Sequence, residues 1–126
     1  MASRSDLSGK RVLVTGASGF TGRYVIDQLK QQGCEVIGLG NVQAPVPSWA
    51  GGLQSADDMR SADLRDVDGL RDVLQAVRPD VIVHLAALAF VGHGRADDFY
   101  KVNLLGTRNL LHAVDQAALA PDRVLL

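Results

Sequence analysis

Thr15-Gly16-Ala17-Ser18-Gly19-Phe20-Thr21-Gly22 follows a short apolar run and precedes a helical pattern, so three glycines stand where a strand hands over to a helix. Their physical uses are separable: Gly16 permits a tight turn, Gly19 lets the backbone approach a pyrophosphate, and Gly22 lets the helix lie close. The N–H groups and dipole of the helix start then favour phosphate charge. Arg11-Val12-Leu13-Val14 before the turn has the β-branched apolar character of a buried parallel strand. Val25, Ile26 and Leu29 after it begin a helical stripe that stops at Gly33, a residue suited to the position just past a helix end. The segment reads as a dinucleotide-binding turn, and it restricts the chain to folds in which parallel strands alternate with helices.

That alternation continues. Glu35 to Leu39 reads as a second strand, and Asn41 to Asp58, with Pro45, Pro47, Gly51 and Gly52, as an irregular surface excursion. Within the excursion Trp49 is a candidate cover for an adenine ring, but an apolar anchor for the loop is the preferred reading. A third strand is placed at Met59 to Ala62. Leu70, Val73, Leu74 and Val77 recur at helical spacing and mark the buried face of a helix that Pro79 ends. Asp80 to Ala87 is the clearest strand, almost continuously apolar and placed in the middle of the sheet. A helix from about Ala96 to Ala118 follows, and Arg123-Val124-Leu125-Leu126 opens another strand. The expected fold is α/β: a Rossmann-like doubly wound parallel sheet of about five strands in the order 3-2-1-4-5, with right-handed crossovers.

Length and composition set the outer limits. With 126 residues, 47% of them hydrophobic, the chain reads as one domain, 1–126. A net charge of −1 makes no electrostatic case for nucleic acid or an anionic membrane. No run approaches the roughly 20 apolar residues of a spanning helix, and Met1 to Lys10 contains no apolar core of a signal peptide. A cytoplasmic setting is expected. Cys34, the single cysteine, excludes an internal disulfide and reads as a small, partly buried side chain. No metal site is expected.

Four motifs then stand in order: the glycine turn, Asp63-Leu64-Arg65-Asp66, His84-Leu85-Ala86-Ala87, and Val102-Asn103-Leu104-Leu105-Gly106-Thr107-Arg108-Asn109-Leu110-Leu111. Together they resemble the extended short-chain dehydrogenase/reductase family of the NAD-dependent epimerase/dehydratase type, which includes nucleotide-sugar epimerases, dehydratases and keto reductases. Phe90-Val91-Gly92-His93 is most similar to the branch that handles GDP-mannose and its keto-deoxy derivative. The resemblance spans nearly the whole chain. It implies that Gly16, Gly19, Phe20 and Gly22 hold a pyrophosphate, that Asp63 and Leu64 border an adenine, and that Ala86 and Ala87 pass the ribose next to nicotinamide, with Ser18, Thr21 and Leu85 also among the cofactor-binding residues. Asn41 is placed to serve the ribose of either cofactor, and Asn103 stands with the cofactor-binding residues and helps organise the catalytic end. A homodimer through the 96–118 helix, and a nucleotide sugar as substrate of the complete enzyme, are also implied.

Several of these residues have structural uses that compete. Asp63 or Asp66 suits the N-cap of the following helix, and His84, inside an apolar run, reads as a packed strand residue rather than a base. Asn103 falls within the stripe Phe99, Val102, Gly106, Leu110, Ala113, Val114 and Ala117. An amide buried there needs defined partners, because burial without them costs roughly 1–3 kcal/mol. Leu104, Leu111 and Ala118 form a second apolar line on the same helix. His93 and Arg95 read as solvent-facing loop residues unless a complete site closes over them.

The sequence departs from the family pattern twice. Sites that prefer NAD often carry Asp or Glu about 20 residues beyond the glycine turn, whereas this place reads Leu39-Gly40-Asn41-Val42, with no carboxylate until Asp57. An NADP site wants a cation for the extra phosphate, and Arg23 is the nearest in sequence. The cofactor is thus NAD or NADP, with the missing acid favouring NADP. The family also uses a Tyr-x-x-x-Lys pair, in which lysine favours the phenolate; here Tyr24 and Tyr100 are followed four residues on by Gln28 and Leu104. The chain is therefore expected to be the amino-terminal, cofactor-binding half of such an enzyme, without catalytic residues or a substrate domain. A non-catalytic dinucleotide-binding sensor is the alternative reading, and an inert fragment with an unpaired sheet edge the third.

Overall fold

A computed structural model describes residues 7–40, 42–85, 96–117, 121 and 123–125, with the backbone alone for 96–104 and 123. Five strands, β1 (Arg11–Thr15), β2 (Glu35–Leu39), β3 (Asp58–Arg60), β4 (Val81–His84) and β5 (Arg123–Leu125), accompany three helices, α1 (Phe20–Gln31), α2 (Val67–Val77) and α3 (Ala96–Gln116). Between β2 and β3 a short 3-10 turn, Ser48–Ala50, takes the place of a helix. The strands form one parallel sheet in the order β3-β2-β1-β4-β5, as the strand-helix alternation predicts. Two expectations shift in detail. The central strand is β1, with β4 beside it, and β3 begins at Asp58 and ends before Ala62. Asp-Met-Arg has no apolar alternation of its own, so its extent is decided by pairing with Ile37 to Leu39.

Alternation along the strands divides the core in two. Leu13, Ile37, Leu39 and Ile82 point to one face and pack with Leu70 and Leu74 of α2 and Leu110 and Ala113 of α3. Val12, Val14, Val36 and Val81 point to the other, where they meet Ile26 of α1 and Cys34. The helix ends follow local chemistry. At the end of α1 the Cys34 N–H donates to Leu29 O and the Gly33 N–H to Lys30 O, with Gly33 at φ +85°, which is a Schellman closure around a left-handed glycine. Asp66 caps α2 by accepting from the Gly69 N–H at 3.1 Å. That helix stops at Arg78, whose φ of 51° turns the chain ahead of Pro79.

The excursion after β2 is tied across the face of α1. Gln54 N–H donates to Asp27 Oδ1 at 2.9 Å, and Asp57 accepts from the Val36 N–H at 2.7 Å and from Lys30 Nζ. Trp49 stacks on Tyr24 with the ring planes 8° apart, and Phe20 packs against both. Trp49 is thus the loop anchor of the preferred reading.

Candidate functional site

The glycine turn leaves the carboxyl end of β1, the central strand. Gly16 adopts φ +68°, and the turn closes through Gly19 N–H to Gly16 O at 3.1 Å while Ala17 N–H reaches Leu39 O at 3.3 Å. A Cβ on Gly22 would lie 2.1 Å from Gly16 O, so α1 starts directly on the turn. A Cβ on Gly19 would meet nothing nearer than Gly16 O at 3.4 Å, an ordinary contact, so protein packing does not require that glycine. The space over it suits a ligand backbone approach. No side chain caps the amino end of α1 and its first turn holds no acidic residue, which leaves the orphan N–H groups of a helix start available to an anion.

The end of β2 closes against this turn. A Cβ on Gly40 would sit 3.0 Å from Ser18 Oγ, and one on Gly38 2.8 Å from Ala17 Cβ and closer still to the flexible Met59 side chain. These two glycines were not among the expected site residues; a glycine at a strand end was the only sequence signal. Arg23 donates through Nε to Ser18 O at 3.2 Å and through Nη2 to Pro45 O at 3.5 Å. It stands with Ser18, Val42, Ala44, Gln54 and Met59 around a cavity of about 180 Å³ between α1 and the excursion.

Helix α3 supports the other side. Gly106 lets it approach Leu64, since a Cβ there would lie 3.2 Å from that side chain, and Asn109 Nδ2 donates to Leu64 O at 3.0 Å. Asp63 is exposed and ion-paired with Arg65 at 2.9 Å, and this contact holds its carboxyl below the ordinary range. The N-cap use that competed for it belongs to Asp66. Asn103 lies within α3, while its side chain, together with Asn41, Ala86, Ala87, the stretch 90–93 and Arg95, falls outside the described residues.

Thr15 and His84 are register partners on neighbouring strands and occupy the end of the row that Leu13 and Ile82 begin. Thr15 is 1% and His84 6% exposed. Thr15 Oγ1 lies 2.6 Å from His84 Nδ1 and accepts the Leu85 N–H at 2.9 Å; His84 Nε2 lies 2.9 Å from Thr107 Oγ1. Each hydroxyl can donate or accept, so a neutral ring with one N–H satisfies both contacts. Burial favours that neutral form, pushing the His84 pKa below the ordinary 6.5. As pH falls the unfolded chain therefore takes up this proton first. Stability contributed by neutral His84 is complete above pH 6.5 and is lost below it, by at most about 1.4 kcal/mol per pH unit for one group. Denaturant titrations from neutral to mildly acidic pH should show this decline, and a His84→Gln chain should lack it. Asp57 and Asp63, held below 3.8 by Lys30 and Arg65, act only in stronger acid.

Other reactive groups are quiet. The Cys34 thiol donates to Leu7 O at 3.3 Å and burial pushes its pKa up. Among the described residues no three His, Cys, Asp or Glu gather as metal ligands, and no helix is long and apolar enough to cross a membrane.

The model of the NAD dependent epimerase/dehydratase family matches residues 12–126. GDP-6-deoxy-D-talose 4-dehydrogenase of Aggregatibacter actinomycetemcomitans is 36% identical over 82% of the chain and 30% of its own length. CDP-glucose 4,6-dehydratase of Salmonella typhimurium is 32% identical over 92% of the chain and 33% of its own length. Among solved structures, UDP-glucose 4-epimerase of Thermus thermophilus in complex with NAD superimposes with a TM-score of 0.67 at 35% identity, covering 86% of this chain and 35% of that one. The chain spans about a third of the length of the curated relatives it matches.

Proposed function

The chain belongs to the NAD-dependent epimerase/dehydratase family, and from that premise we propose that it is the nicotinamide-dinucleotide-binding part of an enzyme acting on a nucleotide sugar, in a cytoplasmic setting. The glycine turn carries this reading. Gly16 is at positive φ, α1 is seated on its carbonyl through Gly22, and the helix start is uncapped. All of this lies at the carboxyl end of the central strand, where open α/β sheets bind their ligands. Gly16, Ser18, Gly19, Phe20, Thr21 and Gly22 hold the pyrophosphate in this reading, Asp63 and Leu64 border the adenine, and Asn41 serves its ribose. Leu85, Ala86 and Ala87 pass the second ribose, and Asn103 organises the end nearest the chemistry. The bound dinucleotide supplies hydride transfer; these residues bind and orient it. A nucleotide sugar and a second copy of the chain, met across the side of α3 that exposes Leu105 and Leu111, are the further partners.

The reading prefers NADP. Gly40 occupies the strand end where a carboxylate would repel a ribose phosphate, and Arg23 lies at the adjoining cavity with only part of its five N–H donors used in the contacts to Ser18 and Pro45. One observation favours a second reading, a dinucleotide-binding module without catalysis: no lysine stands four residues beyond Tyr24 or Tyr100. In both readings the 126 residues bind dinucleotide without turning it over. Titration with NADH and NADPH, followed by nicotinamide fluorescence, should saturate with both and more tightly with NADPH. Arg23→Ala should weaken NADPH by about tenfold and leave NADH almost unchanged, the loss of one charge-assisted contact. Failure to saturate with either dinucleotide overturns the binding reading. Turnover on addition of a nucleotide sugar overturns the catalytic incompleteness.

A further inference from the structure

We propose that Thr15, His84 and Thr107 form a positioning relay that holds the glycine turn, the exit of β4 and helix α3 in the one arrangement that accepts a dinucleotide. The inference rests on the dinucleotide-binding reading above and deepens it. Thr15 is the last residue of β1 and the residue immediately before Gly16, so its side chain sits at the root of the turn. The same hydroxyl accepts the N–H of Leu85, the first residue beyond β4 and the first of the three assigned to the ribose next to nicotinamide. One oxygen atom therefore links the two strand ends between which the dinucleotide lies. His84 extends the link by its two ring nitrogens, 2.6 Å from Thr15 Oγ1 and 2.9 Å from Thr107 Oγ1. Thr107 is on α3, one helical turn beyond Asn103 and next to Gly106, which seats the helix on Leu64.

The chemistry of the three groups suits a continuous link. Each hydroxyl has one proton and two acceptor lone pairs, and a neutral imidazole has one donor and one acceptor. Thr15 Oγ1 can therefore accept the Leu85 N–H and still bond one ring nitrogen, while the other ring nitrogen bonds Thr107, so the ring is satisfied at both ends. Such a chain resists small displacements because its bonds are short, 2.6 to 2.9 Å, and the Thr15–His84 contact at its centre is buried. Thr15→Val would fill the space and preserve the apolar row, yet would leave the Leu85 N–H without its acceptor, whereas His84→Leu would remove the ring partner of the Thr15 and Thr107 hydroxyls. His84 touches neither reacting atoms nor cofactor in this account; it acts through Thr15 and Thr107.

Three measurements on the 126-residue chain test this. Nitrogen NMR of the free protein should find His84 as a single neutral tautomer, and its ring signals should shift when NADH or NADPH is added. Thr107→Val should weaken dinucleotide affinity by roughly five- to tenfold, the scale of one buried hydrogen bond. The same variant should keep its far-UV spectrum, and Thr107→Ser, which restores the hydroxyl, should restore affinity. Thr107 lies on the helix rather than within the sheet, so this pair stays informative if His84 variants unfold. A His84 ring that exchanges freely between tautomers, or a Thr107→Val chain that binds like the unaltered one, overturns the relay and leaves the binding reading intact. An unaltered chain that binds neither dinucleotide overturns both.

Discussion

Replacing Gly22 by alanine is expected to abolish measurable dinucleotide affinity and to remove a large share of the chain's stability. The added Cβ would lie 2.1 Å from Gly16 O and 3.0 Å from both Gly16 C and Ala17 Cα. All three are backbone atoms of the turn, so no rotamer change relieves the contact; α1 must lift or the turn must open. Overpacking of this kind costs about 1–3 kcal/mol and occasionally more, and the immobility of the obstructing atoms puts Gly22→Ala at the upper end of that range or beyond it. Set against the ~5–15 kcal/mol total of a typical domain, such a loss is readily seen in a denaturant titration. Affinity falls for a separate reason, because the same displacement moves the helix start to which the proposed function assigns the phosphates. Gly19→Ala provides the contrast, since its nearest contact would be an ordinary 3.4 Å. That variant should fold like the unaltered chain while losing affinity. A Gly22→Ala chain with unchanged unfolding midpoint and unchanged NADPH binding would falsify the close seating of α1 on the turn.

Leu13→Ala should have a comparable cost in stability and a different signature in binding. Leu13 is completely buried on the central strand, with Ile37 and Ile82 as its register partners on either side. Leu70 and Leu74 of α2 and Leu110 of α3 complete the cluster. Neighbours on four elements cannot all collapse into the space left by the side chain, so the cost is expected at ~2–5 kcal/mol. Leu13 is not itself among the residues assigned to the dinucleotide, so at low temperature the folded fraction of this variant should bind NADPH normally. Leu111→Ala, at a side chain 42% exposed, should shift stability by no more than ~0.5 kcal/mol. Chemical unfolding of the three proteins in parallel decides the matter; a Leu13→Ala loss as small as that of Leu111→Ala would show that the core does not close around β1 as described.

The two predictions differ in how visible their causes are in the sequence. Gly22 is assigned its close-approach role from motif spacing alone, and the structure places the obstructing atom on Gly16, within the same eight-residue turn. The Schellman closure at Gly33, the strand Glu35–Leu39, and the buried face Leu70, Leu74 and Val77 were likewise legible, because each depends on residues a few positions apart. Asp63 and Asp66 could not be separated by sequence. Both suit a helix start, and the choice depends on which carboxylate Arg65 engages and which one the Gly69 N–H reaches.

Local pattern by itself determined the alternating elements of a parallel α/β sheet and the glycine turn, with the strand order following from the Rossmann-like assignment, since backbone geometry, period-two and helical burial, and glycine stereochemistry all act over short stretches of chain. Tertiary structure alone decided where β3 ends, how closely Gly40 approaches Ser18, and which groups His84 engages. Those outcomes depend on partners far apart in sequence, His84 standing 69 positions after Thr15 and Thr107 23 positions after His84. Periodicity can bury a threonine and a histidine on one face, but only the packing of α3 onto two neighbouring strands brings their hydrogen-bonding atoms into line.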